Sequence, residues 1–386
     1  MTERRAVGVG IVGFGWMGQT HTRAHLRVLH HFPELPIRPV LMSVADPEPG
    51  RAPAAAEQYG FARATEHWPD LLADPEVEAV SVTAPNFLHR EIGVAVAAAG
   101  KHLWIEKPVG VDAADAQAVA AAVAAGGGQS TVGFNYRHAP AVAAARELIG
   151  RGDLGTVTHA RVRLFSDYAA HPDGGLSWRF KRSRGGSGVL GDLASHGVDL
   201  VRHLIGEIDA VVADTAVFIA QRPQPSEQGG HYALATGGAL GDVENEDFVS
   251  CLMRLAGGVR VTLEASRVSV GEQNNYGVEI HGTDGMVAWD FRRMGELRVG
   301  SGEPLNQSVS TVYVGPGHGD LRAFHPGAGI AMSYDDLKVI EAARFLRSIA
   351  DGTSHGATID DAVASARTIE AMLESVSTGG WVKVKT

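Results

Sequence analysis

Between residues 6 and 134, short β-branched runs alternate with segments whose apolar residues recur at helical spacing. The runs fall at 6–12, 40–45, 79–83, 102–105 and 130–134, with a weaker one near Phe61, and the helical segments centre near Arg23, Ala55, Leu71, Val94 and Val119. This alternation predicts a doubly wound parallel sheet covered by helices on both faces. Past Phe134 the pattern changes. After a helix at 139–149, period-two runs near 157–165, 210–220, 248–255, 259–266, 278–281, 286–290 and 297–299 are joined in places by tight turns such as Ala256-Gly257-Gly258. Such alternation predicts a large, mostly antiparallel open sheet with helices on one face. Residues 222–241 and 300–332 are rich in Gly, Pro and His and read as long loops, and helices at 334–350 and 360–377 precede a short edge strand at 381–384. The expected class is α/β: an N-terminal doubly wound parallel domain over 1–135 and a C-terminal α+β domain over 136–386.

The first turn of the parallel pattern carries candidate chemistry. Gly13, Gly15 and Gly18 form G-x-G-x-x-G with a strand entering and a helix leaving, the setting in which the pattern has meaning. Gly13 then permits the tight turn, Gly15 the approach of a pyrophosphate, and Gly18 close packing of helix on strand. Helix-start N–H groups face the phosphates, and Phe14, Trp16 and Met17 share this loop as candidate nucleotide contacts. The alternative is a glycine-rich turn without a ligand. Asp46, closing the second run, can accept hydrogen bonds from ribose hydroxyls and repel a 2′-phosphate, favouring NAD over NADP, although nearby Arg51 leaves that preference open. Its distance from Gly18 is long for this role, and 30–39 reads as a loop insertion. The alternative for Asp46 is a turn residue before Pro47. His21 and His25 lie one helical turn apart without an evident third ligand, so they read as solvated or phosphate-facing rather than metal-binding.

Composition narrows the classes. A length of 386 residues suggests about two domains. Cys251 is the only cysteine, which excludes an intrachain disulfide and a cysteine zinc cluster and suits a reducing cytoplasm. The N-terminus runs into the first strand with no apolar leader, and no stretch of about 18 apolar residues follows, so a soluble, unprocessed cytoplasmic protein is expected. A net charge of −10 without a basic stripe argues against nucleic acid. It would suit a cationic substrate, but an acidic surface that aids solubility is the plainer account.

Three further motifs follow in order: Pro85-Asn86-Phe87-Leu88-His89 at the carboxyl edge of the predicted sheet, Gly100-Lys101-His102, and Glu106-Lys107-Pro108. With the glycine motif, these resemble the glucose-fructose oxidoreductase, inositol dehydrogenase and MocA family over nearly the whole chain. The resemblance implies a Rossmann domain that binds NAD and a second domain for substrate binding and oligomerisation. It places Pro85, Asn86, His89, Glu106, Lys107, Asn135, Trp178 and Arg179 near cofactor or substrate. A glycine-rich loop at 185–191 leads to Asp192, His196 and Asp199, spaced to share a helix face. The family pattern is met at Asp192 and His196, which with Lys107 the resemblance assigns to catalysis. Histidine titrates near neutrality and can take a hydroxyl proton; Lys107 can stabilise developing negative charge. A lysine of depressed pKa can instead be the base. Asp192 would hold a second hydroxyl, orient His196, or do both. Pro108 restricts Lys107 to extended backbone, and in the family this bond is often cis.

The C-terminal features Phe324-His325-Pro326-Gly327, Tyr334-Asp335-Asp336-Leu337-Lys338 and Gly380-Trp381-Val382 look most like members acting on inositols, levoglucosan and related glycosides. The expected activity is NAD-dependent oxidation of one ring hydroxyl of a sugar, glycoside or cyclitol to a ketone. Rival expectations are the same chemistry on an aminoglycoside or nucleotide-sugar intermediate, an NAD-dependent glycosidase, and a non-catalytic NAD sensor. A homodimer or homotetramer is expected through the exposed face of the second sheet. Substrate choice is expected to lie in loops at 166–187, 222–241 and 315–332.

Overall fold

The computed structural model describes residues 4–224, 234–235, 237–302 and 306–385. They form two compact units, one running to Asn135 with Met332–Val363 added, the other comprising Tyr136–Ala331 and the chain from Ala364 onward. The parts of the predicted loops at 225–233, 236 and 303–305 lie outside the described residues.

In the first unit, β1 (Arg5–Val12), α1 (Trp16–His31), β2 (Ile37–Ala45), α2 (Arg51–Tyr59), β3 (Arg63–Thr65), α3 (Trp68–Ala73), β4 (Ala79–Val82), α4 (Asn86–Ala98), β5 (His102–Ile105), α5 (Ala113–Gly126) and β6 (Ser130–Val132) follow in order. The sheet has strand order β3-β2-β1-β4-β5-β6 and is parallel throughout. β1 is buried along its last six residues, Val7 to Val12, which is why it reads as an unbroken apolar and glycine run. The expected insertion at 30–39 is shorter than its sequence suggests, because α1 continues to His31 and β2 already begins at Ile37. Pro39 is tolerated inside β2 because β3 pairs only with Ser43, Val44 and Ala45, leaving an open edge at the proline.

The second unit begins with α6 (Pro140–Gly150), β7 (Val157–Phe165), α7 (Arg182–Gly185), α8 (Ser195–Leu204), β8 (Ile208–Ala216), β9 (Gln221–Pro223) and β10 (Leu240–Asp242). It continues with β11 (Phe248–Leu255), β12 (Arg260–Ser266), β13 (Asn275–Gly282), β14 (Gly285–Asp290), β15 (Glu296–Ser301) and β16 (Ser308–Tyr313). A nine-stranded sheet runs β16-β15-β14-β13-β7-β12-β11-β8-β17, where β17 is Val382–Lys383. Only β7 and β12 pair in parallel; the other neighbours are antiparallel. β11 shows why the pattern was legible: Val249, Cys251, Met253 and Leu255 are buried while Ser250, Leu252 and Arg254 face outward. Two expectations are corrected here. β9 and β10 pair across the two ends of the predicted loop at 222–241, and β16 lies inside the one at 300–332, where every residue of this edge strand is exposed and no buried stripe announces it.

The largest correction concerns residues 332–363. The expected second domain of 136–386 included them, but α9 (Tyr334–Asp351) packs with the first unit. Its N-terminal residues reach α1: Asp335 accepts from Arg23 Nε at 2.6 Å, Asp336 accepts from Arg27 at 2.5 Å, and the Tyr334 ring stacks on Trp16 at 5.2 Å. A capping box between Ser333 and Asp336 starts the helix. α10 (Ile359–Thr378) then leads the chain into the second unit. Among the described residues no helix is long and apolar enough to cross a membrane.

Candidate functional site

The β1–α1 turn tests the glycine motif directly. Gly13 has φ 86° and a Cβ there would come within 2.8 Å of the Ala84 backbone, so glycine is required both for the turn and for this approach. A Cβ on Gly18 would collide with the Gly13 carbonyl oxygen. At Gly15 an added Cβ meets nothing within 4 Å. The two outer glycines therefore serve the fold, while the middle one keeps open space at the start of α1, where no side chain caps the helix and the first turn holds no acid. Those are the conditions an anionic pyrophosphate needs. Gly18→Ala is expected to cost about 1–3 kcal/mol of stability, whereas Gly15→Ala leaves thermal unfolding nearly unchanged and weakens NAD binding by at least about tenfold. Equal NAD affinity for Gly15→Ala and the parent, measured by titration, would contradict this division.

Neighbouring candidates divide by burial. The Phe14 ring belongs to the core, packed edge-on against Tyr59 at 5.6 Å and Phe61 at 6.1 Å, so only its backbone faces the loop. Its N–H donates to Asp46 Oδ2 at 2.6 Å, while Asp46 Oδ1 accepts from Glu48 N at 2.9 Å and from Arg51 at 3.1 Å. Asp46 thus closes the glycine loop from below. Trp16 is 62% exposed beside the turn, and Met17 Sδ lies 3.7 Å from the Tyr334 hydroxyl.

Pro85 is the residue before α4, and Asn86 opens that helix. His89 is buried, with Nε2 2.7 Å from the Ala84 carbonyl and Nδ1 2.8 Å from the Pro108 carbonyl. It ties the loop that approaches Gly13 to the residue after Lys107, which leaves any contribution to a nucleotide indirect. Lys107-Pro108 is a cis bond, as the resemblance implied. Lys107 N–H donates to Glu106 Oε2 at 3.3 Å.

Glu106 was expected to bind cofactor, but its carboxylate is bonded within the protein. His21 Nε2 lies 2.9 Å from Oε1, and Lys338 of α9 donates to the same oxygen. Lys338 in turn lies 2.8 Å from Glu341 Oε2, and both side chains are fully buried. His21 stacks on Trp104 at 3.8 Å, and His25 meets the edge of that ring at 5.3 Å. The expectation of solvated or phosphate-facing histidines is therefore wrong: both face the interior, against β4 and β5. Sequence reasoning missed Lys338, Glu341 and Trp104. The available signal was a Lys and a Glu three apart inside the apolar stripe of α9.

Burial sets the protonation here. It pushes His21 down to about 4 and His25 to about 3, and it pushes Glu341 up to about 7, while Lys338 and His21 hold Glu106 well below the usual carboxylate range. Between about pH 4.5 and 6.5 the unfolded chain protonates both imidazoles and the folded chain does not, so stability rises with pH; Glu341, protonated only when folded, opposes this by one proton. The balance of about one proton gives a slope of roughly 1.4 kcal/mol per pH unit. Urea midpoints that fall from pH 5 to 6.5 would show charged imidazoles in the fold.

Asn135 ends the first unit with its side-chain amide buried and neither atom bonded among the described residues. Such a group costs about 1–3 kcal/mol until a polar partner arrives. The open cradle at Gly15 and this orphaned amide fit a dinucleotide that carries its own phosphates and amide.

The second unit holds Asp192 and His196. The expected helix face is modified, because Leu190–Ala194 form a π-helical turn and α8 starts only at Ser195. Here the Ser195 hydroxyl donates to the Gly191 carbonyl at 2.7 Å, and Glu246 Oε1 accepts the N–H groups of Gly188 at 2.7 Å and Leu190 at 3.1 Å. Such widened turns recur at functional sites. The Tyr136 ring lies 4.5 Å from the His196 ring. Asp199 is engaged elsewhere, in a buried bidentate pair with Arg137. Arg179 lies over the Trp178 ring at 4.4 Å, just before α7. The three residues expected to be catalytic are thus divided, Lys107 in the first unit and Asp192 with His196 in the second. Among the described residues no cluster of three His, Cys, Asp or Glu is placed to hold a metal.

A parallel six-stranded sheet whose first turn is cleared for a pyrophosphate defines a dinucleotide-binding domain. Residues 7–134 match the oxidoreductase family model with an NAD-binding Rossmann fold, and 142–288 match the GFO/IDH/MocA C-terminal domain. The chain belongs to the Gfo/Idh/MocA family. Levoglucosan dehydrogenase of Pseudarthrobacter phenanthrenivorans is 36% identical over 384 residues, 98% of either chain. Inositol 2-dehydrogenase of Rhizobium meliloti is 28% identical, with 89% of this chain and 97% of the relative covered. A solved levoglucosan dehydrogenase in complex with NADH and levoglucosan superposes with a TM-score of 0.93 at 34% identity, covering 99% of this chain and 100% of that one.

Proposed function

We propose that this oxidoreductase converts a secondary ring hydroxyl of a sugar, glycoside or cyclitol to a ketone. The observation that carries the reading is likeness over nearly the whole chain to a levoglucosan dehydrogenase; Lys107, Asp192 and His196, which the sequence resemblance assigns to catalysis, supply the residue types the reaction needs. Bound NAD supplies the hydride acceptor. The alcohol loses its C–H as hydride and its O–H as a proton. His196, with Tyr136 against its ring, takes that proton in the neutral form. Lys107 donates to the substrate oxygen and stabilises its growing negative charge. Asp192 accepts from a neighbouring substrate hydroxyl and orients His196. Asp46 at the end of β2 receives the ribose hydroxyls and disfavours a 2′-phosphate, so NAD is preferred to NADP. Glu106 and His89 position the Lys107 loop.

The test is a screen of levoglucosan, inositols, simple glycosides and aminoglycosides for NAD reduction. NADH is expected to accumulate steadily with a neutral pyranoside or cyclitol. A panel in which none reduces NAD, or in which glycoside is cleaved without NADH accumulating, would overturn the reading. Association into a homodimer or homotetramer is proposed through the sheet face that exposes Leu252, Arg254 and Trp381; sedimentation as a monomer at micromolar concentration would contradict it.

A further inference from the structure

Tyr168 lies just beyond β7 and has no place in the mechanism above. Its backbone is pinned on both sides to the strand that continues β12: Ser166 N–H donates to Ser266 O at 2.9 Å, and Ala169 N–H donates to Arg267 O at 3.0 Å. Its ring packs on the buried cluster of Ala169, Leu176, Phe180 and Val243. With the backbone fixed and the ring wedged, the phenol has little freedom, and its hydroxyl donates to Asp192 Oδ2. An ionised carboxylate only accepts, so the proton belongs to the tyrosine. Burial and the negative charge of Asp192 raise the phenol well above its usual range and keep that proton in place. The cation nearest in character, Arg267, is occupied with Asp247 Oδ1 at 2.8 Å and with the Asn245 side-chain oxygen at 3.0 Å.

We propose that Tyr168 is a positioning residue for the reaction, holding Asp192 ionised and in one orientation through a charge-assisted hydrogen bond; this rests on the catalytic reading of Asp192. The π-helical turn at Leu190–Ala194 sets where the Asp192 backbone lies, and the terminal torsion of an aspartate is intrinsically broad. The phenol fixes one carboxylate oxygen and thereby the direction of the other. A hydrogen bond to a charged group carries enough energy to matter at the rate level.

The experiment is a double-mutant cycle on the full chain: parent, Tyr168→Phe, Asp192→Asn and the pair, assayed with NAD and whichever of levoglucosan, myo-inositol or a methyl glucoside the parent oxidises fastest. Tyr168→Phe keeps the ring and its packing, so the thermal midpoint should fall by no more than a few degrees and NAD affinity should match the parent. Its kcat should fall by about 10- to 100-fold. The acid limb of its pH profile should move to higher pH, because a carboxylate that loses a donor binds its proton more tightly. In the Asp192→Asn background the same change should cost less than about twofold, since the two residues act as a unit. If Asp192→Asn is impaired while Tyr168→Phe is silent or multiplies its effect independently, the positioning role is overturned. Full turnover by Asp192→Asn, or no oxidation of any probe by the parent, would remove the catalytic reading and this proposal with it.

Discussion

Lys107→Ala is expected to bind NAD within a few-fold of the parent and to turn over substrate about 10³-fold more slowly. The division follows from how the loop is held. The backbone N–H of Lys107 is bonded to Glu106, and the carbonyl after it is bonded to His89, so neither tether uses the ammonium. Truncation therefore leaves the Glu106-Lys107-Pro108 turn in place. In the proposed mechanism what is lost is a donor to the oxygen whose charge grows in the transition state, and single donors of that kind are worth about 10²–10³ in kcat. If Lys107 also moves a proton, the loss approaches about 10⁴. His196→Ala should show the same separation of binding from turnover, because the residues that shape the glycine turn, Thr83, Ala84 and Asp46, all belong to the first unit. Steady-state kinetics beside an NAD titration decide it. Undiminished turnover by both variants would remove the proposed roles.

Lys338→Met should lower stability by about 3–5 kcal/mol, a fall of the thermal midpoint on the order of 10 °C for a chain of this size. The isostere fits the space but leaves Glu106 and Glu341 buried without their shared cation. Glu341, already pushed up to about 7, can take a proton; Glu106 keeps the Lys107 N–H and His21, whose own pKa of about 4 makes it a weak partner for the charge. Because Glu106 also accepts from Lys107 N–H, the variant should lose kcat as well as stability. Adding Glu106→Gln and Glu341→Gln should restore most of the stability by removing the unpaired charges. A loss below about 1 kcal/mol for Lys338→Met alone would mean the quartet contributes little.

The legible parts of this protein are those governed by short-range rules. β11 and β12 alternate cleanly because one face is buried, and the β1–α1 turn announces itself because two of its glycines are required sterically. β16 escaped because an exposed strand leaves no apolar period to read, and β9 and β10 because three residues each are too few to show one. Phe14 misled by position: it sits in the phosphate loop by sequence but turns its ring into the core. His21 and His25 misled by type, since a polar residue at an apolar helix position is read as solvated unless its partner is known. That partner, Trp104, lies four strands later in the chain.

The order of the strands and helices that carry an apolar period, the glycine turn, the acidic end of β2 and the residue types of the proposed catalytic set were determined by the sequence alone, because each depends on neighbours a few positions away. Three-dimensional packing decided that α9 belongs to the nucleotide-binding unit, that Lys338 neutralises Glu106 across 232 positions of chain, and that Tyr168 holds Asp192. The reason is physical. Burying an ionic group is tolerable only when a specific partner meets it, and which distant partner does so is fixed by the closed shape of the fold rather than by any local pattern.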